Sequence, residues 1–507
     1  MIFAKEPVKT RSWIPLLLAA LLLPFANGTS AIALAAWLVP FFLLRFSRSQ
    51  RGIVALPIIL ALQIVALAIQ YRGMVPFPTP LYVAVMIVYG LFFLLPYVAD
   101  RLLASRLSGF SRSLVFPLAW VSIEYFFSRG PFGSWFATAY SQSDLALLQM
   151  LSVTGLWGVT FLIGWTASAG NAFWEEWSES RQIPRVTALC ALLIIVALVA
   201  GGVRLALFPP TGATVRVASL SRADSDLHPD PKVVDRFFRH APLTPEEIGT
   251  IRERAAAVNN DLLNRSEREA KAGARIIFWG EANAIVLKGD ENDLIQRGAN
   301  LAKANGIYLA MAVAGWHLET TPPLENKIVL IQPDGTPAWE FLKAHPVPGG
   351  EAAISIRGDG KLRMLDTPYG RLSSAICFDA DFPSLLAQAG KMRTDIVLDP
   401  SNDWKAIDPW HTKMASFRAI EQGFNLVRHT SQGLSAAFDY QGRQLAAMDH
   451  YLASDHTLVA QVPTRGTPTV YAKLGDWFAW ICLIGSAGLI FLAAKFRREV
   501  FGNSPAF

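Results

Sequence analysis

Charged residues are scarce in this sequence. Asp, Glu, Lys and Arg make up 17% of its 507 residues and hydrophobic residues 52%, where a soluble protein carries about a quarter charged. That excludes a chain that is soluble throughout. Cysteine is scarcer still: there are three, Cys190, Cys377 and Cys482. Cys190 and Cys482 sit in apolar runs, where a cysteine is usually a small buried hydrophobe. No disulfide framework is therefore available to the rest of the chain. CxxC and HExxH patterns are absent, so the sequence makes no case for a bound metal. Internal repeats and low-complexity tracts are absent as well. The net charge of +6 does not point to a nucleic-acid partner. Much of the excess lies in short loops beside apolar runs, where membrane topology explains it.

Apolar runs fill residues 13–208 and return at 474–494. A membrane-spanning helix needs about 20 apolar residues. Seven candidate spans centre on 13–26, 30–45, 53–70, 80–98, 114–127, 148–170 and 186–208, and an eighth on 474–494. The expected organisation is a helical membrane region over 1–209, a globular domain over 212–470 and a final span. The first two runs, joined by Asn27-Gly28-Thr29, also read as one broken helix. Arginine and lysine concentrate in alternate loops: Lys5, Lys9 and Arg11; Arg45, Arg48 and Arg51; Arg101, Arg106 and Arg112; Arg181 and Arg185; then Lys495, Arg497 and Arg498. The other short loops offer little more than Arg72 and Arg129. This bias predicts that both termini are cytoplasmic and that 212–470 lies on the opposite side.

Residues 117–149 are not a bland connection. They hold Trp120, Glu124, Arg129, Trp135, Tyr140, Gln142 and Gln149. An acid such as Glu124 in or near an apolar helix is costly, and function is one reason to keep it. A structural pair with Arg129 is the other reading. Trp120, Glu124 and Trp135 are candidates for a membrane-region substrate site, although the tryptophans also suit plain interface anchors.

In the globular part strands and helices interleave, which predicts an α/β or α+β domain with layered sheets. The spacing predicts strands at 214–220, 275–279, 307–314, 325–332, 337–343, 372–377, 394–398 and 424–430, and a hairpin over 433–448. Helices are predicted at 244–272, 290–305, 382–390 and 409–423. Three reactive residues stand at predicted strand ends, where sheets present side chains to a cleft. Glu281 follows Ile276–Trp279, Lys343 ends the strand at 337–343, and Cys377 ends 372–377. A thiolate is the nucleophilic form of cysteine, and a nearby ammonium lowers a thiol pKa. A carboxylate in reach can take the thiol proton and later return it. The ammonium can also hold the oxyanion of a tetrahedral intermediate.

The order Glu281, Lys343, Cys377 resembles the nitrilase (carbon–nitrogen hydrolase) superfamily. The fuller pattern is similar to the apolipoprotein N-acyltransferase family. The residues that carry it are Phe278-Trp-Gly-Glu281, Lys343-Ala-His-Pro-Val-Pro-Gly-Gly-Glu351, Ala375-Ile-Cys377-Phe-Asp379, Ser401-Asn-Asp-Trp404, His411, Phe417-Arg-Ala-Ile-Glu421 and Arg428-His-Thr-Ser-Gln-Gly433. The resemblance implies an αββα sandwich beside about eight transmembrane helices. It implies Glu281 as general base, Lys343 as oxyanion stabiliser and Cys377 as nucleophile, with Glu351 and Asp379 in support and no metal or cofactor. It implies a phospholipid acyl donor, the N-terminal diacylglyceryl-cysteine of an apolipoprotein as acceptor, and a multi-pass protein of the bacterial inner membrane with a periplasmic catalytic domain.

Several positions depart from that pattern. Gly280 stands where proline is usual, Phe378 and Asp379 where tyrosine and glutamate are, and Gly349 where phenylalanine is. Phe132-Gly-Ser-Trp135 replaces a shorter Phe-Pro-Trp. Two other readings share the scaffold. A membrane-tethered amidase, or a divergent acyltransferase with another amine acceptor, would use the same triad. A non-catalytic lipid- or lipoprotein-binding protein would have no need to keep all three residues. Acceptor choice would depend on lid loops, for which 221–242 and 344–360 are the candidates.

Overall fold

The computed structural model describes residues 13–222 and 243–501. Lys5, Lys9 and Arg11 lie outside the described residues, as do the side chains of Arg497 and Arg498 and nearly all of the candidate lid 221–242. The chain divides into two compact units, Met1–Phe208 with Leu474–Phe507, and Pro209–Lys473.

The first unit is helical. Each apolar run of the sequence contains or overlaps a helix: Ile14–Leu22, Ala33–Ser49, Gly52–Gln70, Thr79–Leu103, Gly109–Phe127, Leu156–Ser180, Arg185–Leu207 and Trp477–Phe501. The first two are separate helices. Trp13, at the start of one, stacks near Phe46, toward the end of the other, with centroids 5.6 Å apart, so they form an antiparallel hairpin. The eight expected spans are not all long, straight and apolar. Among the described residues four helices are, namely Gly52–Gln70, Thr79–Arg106, Arg185–Leu207 and Trp477–Lys495. A fifth is added if Leu145–Thr154 and Leu156–Ser180, bent by 117°, count as one span. Ile14–Phe25 is apolar but short. The remaining two fall short for visible reasons. Ala33–Ser49 ends in Arg45 and Arg48, and Gly109–Phe127 carries Arg112 and Glu124.

Charged residues at the helix ends pair with one another. Arg48 meets buried Asp100 at 2.7 Å, and Arg45 and Arg112 share Glu175 at 3.1 and 3.3 Å. These contacts gather one set of helix ends. Arg129 meets Asp476 at 2.8 Å, and Trp157 donates to the same Asp476 at 2.8 Å, which gathers the other set.

The second unit is built on two sheets. One has the order β13-β1-β2-β4-β5-β6, with β3 paired to β4. Its strands are β1 (Thr214–Leu220), β2 (Ile276–Trp279), β3 (Ala284–Leu287), β4 (Tyr308–Trp316), β5 (Leu324–Ile331), β6 (Pro337–Leu342) and β13 (Thr457–Pro463). The other has the order β12-β11-β10-β9-β8-β7. Its strands are β7 (Met364–Thr367), β8 (Gly370–Ser374), β9 (Ile396–Asn402), β10 (Asn425–Ser431), β11 (Leu434–Phe438) and β12 (Gln444–Asp449). The centre of each sheet is parallel: β1–β2–β4 in one and β8–β9–β10 in the other. The sheets face each other, and Ser219 Oγ on β1 lies 2.9 Å from His429 Nδ1 on β10. Helix Pro245–Lys271 covers the first sheet, where Trp279 Nε1 donates to Ser266 Oγ at 2.9 Å. That helix starts at a capping box of Thr244 and Glu247, which answers two of its free N–H groups. Helix Trp410–Gln422 covers the second sheet, where Arg428 Nε donates to Thr412 Oγ1 at 3.2 Å. Helix, sheet, sheet and helix are the layers of an αββα sandwich.

Strands β3, β7 and β13 were absent from the sequence expectation, and the strand expected at 372–377 ends at Ser374. Cys377 therefore does not end a strand. It opens a short 3₁₀ turn, Cys377–Asp381.

Candidate active site

Glu281, Lys343 and Cys377 are all buried, at 4%, 1% and 2% exposure. Strand β2 delivers Glu281 two residues beyond its end. The end of β6 delivers Lys343, whose backbone N–H donates to Asn326 O at 2.8 Å and so continues the ladder with β5. Lys343 Nζ donates to Glu281 Oε1 at 2.7 Å and to both oxygens of Glu351 at 2.8 and 2.9 Å. Asn326 Nδ2, which sequence reasoning missed, donates to Glu281 at 2.7 Å and to Glu351 at 3.1 Å. One ammonium and one amide thus hold two carboxylates.

Electrostatics set the resting state. Burial and the neighbouring Glu351 charge raise the Glu281 pKa, against the pull of Lys343 and Asn326. Burial opposes the charge on Lys343, yet Glu281 and Glu351 hold its pKa well above the usual lysine value. Burial and Glu281 push the Cys377 thiol well up, and Lys343 only partly offsets this. The resting site is an ammonium between carboxylates beside a protonated thiol. The thiolate must then form when a reactant arrives, with Glu281 as the receiving base.

Cys377 sits at a sharp bend. Its φ is +52°, a left-handed conformation that costs a residue with a Cβ about 1–2 kcal/mol. The Cys377 N–H donates to Asp399 Oδ1 at 2.9 Å, which holds the bend from β9. Asp379 is fully buried and receives N–H groups from Ala344, His345 and Ile376 at 3.3, 2.8 and 3.3 Å. It therefore joins the segment after Lys343 to the cysteine turn. Its short side chain suits this task, and it does not contact Cys377 as a base. The ring of His345 stacks on Phe382 with centroids 3.6 Å apart, which closes the same corner.

Behind the thiol lies a fully buried ion network. Arg428 donates to Asp399 at 2.5 Å and to Asp403 at 3.0 Å, and His411 reaches Asp403 at 2.7 Å and Asp381 at 3.1 Å. Burial moves Asp399 up to about 6, whereas Arg428 and His411 overcome burial at Asp403 and bring it to about 2. Both cations act on each acid, but Asp403 hydrogen-bonds Arg428 and His411, whereas Asp399 hydrogen-bonds Arg428 and not His411, which accounts for the opposite directions. Donor atoms of Cys377, Asp403 and His411 lie within 4.8 Å of one another, a sulfur, oxygen and nitrogen set that zinc accepts. Here Arg428 already occupies the space beside Asp403 and His411, so the group is built as an ion-pair network.

Two families match this chain. Residues 252–467 match the carbon-nitrogen hydrolase family, and residues 11–169 match the apolipoprotein N-acyltransferase N-terminal domain. The chain belongs to the apolipoprotein N-acyltransferase family. A relative of that name from Bradyrhizobium diazoefficiens is 28% identical over 399 residues, covering 73% of this chain and 70% of the relative. Another from Geobacter metallireducens is 27% identical over 427 residues, covering 77% and 75%. Among solved structures, an amidase from Nesterenkonia sp. aligns with a TM-score of 0.38 and 18% identity, over 50% of this chain and 92% of the amidase.

Of the membrane-region candidates, Trp120 and Glu124 meet. Glu124 does not pair with Arg129. It accepts from Trp120 Nε1 at 2.9 Å, Thr138 N at 3.1 Å, Thr160 Oγ1 at 2.8 Å and also Thr138 Oγ1. It thereby ties helix Gly109–Phe127 to the segment after it and to helix Leu156–Ser180. Arg129 turns instead to Asp476 and to Tyr125 Oη, the latter at 2.7 Å. Trp135 is buried in the same connecting segment. Glu124 also lines a small cavity with Tyr89, Phe92, Phe127 and Phe136. Glu124→Ala leaves four donors unanswered in an apolar interior, so a stability loss on the order of 3 kcal/mol is expected. Thermal unfolding in detergent measures it, and a loss no larger than that of an exposed substitution would refute the tie.

The bend at Cys377 gives a second test. Cys377→Gly should unfold at a higher temperature than Cys377→Ala, by the equivalent of about 1 kcal/mol. Alanine is normally the more stabilising of the two, so an ordinary order would mean the bend carries no strain.

Proposed function

We propose that this protein moves an acyl chain from a phospholipid to the α-amino group of an N-terminal diacylglyceryl-cysteine on an apolipoprotein. The observation that carries the mechanism is the bridge of Lys343 Nζ to Glu281 at 2.7 Å and to Glu351 at 2.8 Å, beside a thiol at a left-handed bend.

In the first half-reaction Glu281 takes the Cys377 proton and the sulfur attacks the ester carbonyl. Lys343 faces the oxyanion of the tetrahedral intermediate. Collapse breaks the ester C–O bond, and protonated Glu281 returns its proton to the departing lysophospholipid oxygen. The enzyme then holds a thioester. In the second half-reaction the amine attacks that thioester and Glu281 takes the proton the amine loses. The C–S bond breaks, the thiol regains a proton, and an amide leaves. No external oxidant or energy source is needed, because a thioester lies uphill of an amide. The membrane unit fits this chemistry, since both substrates carry lipid chains. The eight apolar runs and the family suit eight crossings of a bacterial inner membrane, and the arginine and lysine bias favours cytoplasmic termini and a periplasmic catalytic unit.

The test is intact-protein mass spectrometry after mixing the purified protein with phospholipid and then a diacylglyceryl-cysteine peptide, with Cys377→Ala in parallel. The expected result is a hydroxylamine-sensitive acyl adduct on Cys377 that moves to the peptide amine. An adduct that decays to free fatty acid, with the peptide untouched, would overturn the transferase in favour of a hydrolase. No adduct from any phospholipid would remove the donor half of the proposal.

A further inference from the structure

The short loop between β2 and β3 holds Glu281, and its backbone is fastened without Lys343 or Cys377. Ala282 has φ +52°, a left-handed conformation rare for a residue with a Cβ. Something must hold it there. Asn283 is 1% exposed and spends its whole side chain on that task. Its Nδ2 donates to Glu281 O at 3.0 Å and to Ser431 Oγ at 3.0 Å, and its Oδ1 accepts from Arg222 N at 2.7 Å. Ser431 ends β10, so Asn283 pins the Glu281 backbone to the opposite sheet.

Gly280 completes the arrangement. Its N–H donates to Leu220 O at 2.7 Å, which a proline could not do. A Cβ there would stand 2.8 Å from Asn283 Nδ2 and 3.2 Å from His429 Cδ2. His429 is fixed in turn by Ser219 Oγ at 2.9 Å. The glycine found where the family has proline is therefore the residue that leaves room for the Asn283 amide against the His429 ring.

We infer that Asn283 is the positioning residue of the general base: it sets the direction of Glu281, and Gly280 and His429 shape the space it needs. This rests on Glu281 being the base. A displacement of about 1 Å at a reacting group costs up to about 100-fold in rate.

The experiment uses the full-length protein in detergent. Two rates are measured for wild type, Asn283→Ala, Asn283→Leu, Gly280→Ala, the Gly280→Ala/Asn283→Ala pair and Glu281→Gln. One is single-turnover thioester formation from phospholipid. The other is alkylation of Cys377 by iodoacetamide from pH 5 to 9, read by peptide mapping. Asn283→Ala and Gly280→Ala should each lower the maximal thioester rate about 10-fold to 100-fold, with the half-saturating phospholipid concentration unchanged. The pair should be no slower than either single variant, because both displace one amide. Both should shift the alkylation profile in the direction of Glu281→Gln. Asn283→Leu fills the volume without the hydrogen bonds and should behave like Asn283→Ala, which separates positioning from packing loss. Rates within twofold of wild type, or multiplicative losses in the pair, would overturn the inference. So would an alkylation profile that Glu281→Gln leaves unchanged. If wild type forms no thioester but the alkylation shifts appear, the acyl donor assignment fails and the positioning of Glu281 stands.

Discussion

Lys343→Met is expected to lower thioester formation by at least about 1,000-fold and to cost about 3–5 kcal/mol of stability. The ammonium is 1% exposed and contacts Glu281 and both oxygens of Glu351. Methionine keeps the volume and removes the charge. Two carboxylates then face each other across the Asn326 amide, which reaches both. One of them takes up a proton, and if that is Glu281 the base is lost along with the oxyanion partner. A second substitution separates the two effects. Lys343→Met/Glu351→Gln removes one carboxylate and should recover most of the lost stability, because no like-charge pair remains. It should not recover the rate. Thermal unfolding and single-turnover mass spectrometry on the same preparations give both numbers. A single variant within tenfold of wild type would exclude Lys343 from the chemistry. A rate restored in the pair would make Lys343 a counter-ion and nothing more.

The same residues indicate how far sequence reasoning reaches. Glu281, Lys343 and Cys377 stand 62 and 34 positions apart, yet each was visible as a reactive residue after an apolar strand. The first two do follow β2 and β6. Strand ends are legible because period-two runs stop abruptly. Cys377 was placed at a strand end and instead occupies a bend three residues further on, because φ has no signature in a residue that is not glycine. Glu351 and Asp379 were found only through resemblance, and the structure gives them different tasks. Glu351 binds Lys343, whereas Asp379 gathers N–H groups. Asn326 carried no signal, being one of three consecutive polar residues, Glu325–Lys327, in β5. Asp403, His411 and Arg428 lay in motifs of the resemblance, but their joining with Asp381 and Asp399 in one ion network carried no signal, since four segments contribute to it and only folding brings them together. Lys327 is another case: it is 1% exposed and lies 2.7 Å from Glu291 and 2.8 Å from Glu325, although a lysine in a strand ordinarily reads as an outward face. In the membrane unit the helices were legible by composition. Glu124 was legible as unusual, but its partners were not, since Thr138 and Thr160 look like ordinary helix-region hydroxyls.

Glu281→Gln is the companion test, and its signature is a change in the shape of a pH profile. Glu281 is raised above the ordinary carboxylate pKa by burial and by Glu351. It is a competent base only when ionised, so the wild-type rate of thioester formation should be lost as pH falls through that raised value. Above it the rate should be flat. Lys343 keeps its proton throughout, held by Glu281 and Glu351 against burial, and the free thiol does not ionise on its own in that range, because burial and Glu281 hold it up. Glutamine keeps the shape and can accept from Lys343 and Asn326, but it cannot take a proton. The plateau should fall about 100-fold to 10,000-fold. The residual rate should then climb with pH without levelling, because only solvent base is left to remove the thiol proton. Stability should move the other way or not at all. A carboxylate whose folded pKa is raised favours the fold only while protonated, and at neutral pH its charge is a cost that glutamine removes. Lys343 retains Glu351 as its counter-ion, so no charge is stranded. A Glu281→Gln protein that unfolds no earlier than wild type, loses the flat plateau and still binds phospholipid has lost its base alone. A profile that keeps its acidic limb would assign that limb, and the base, to another group.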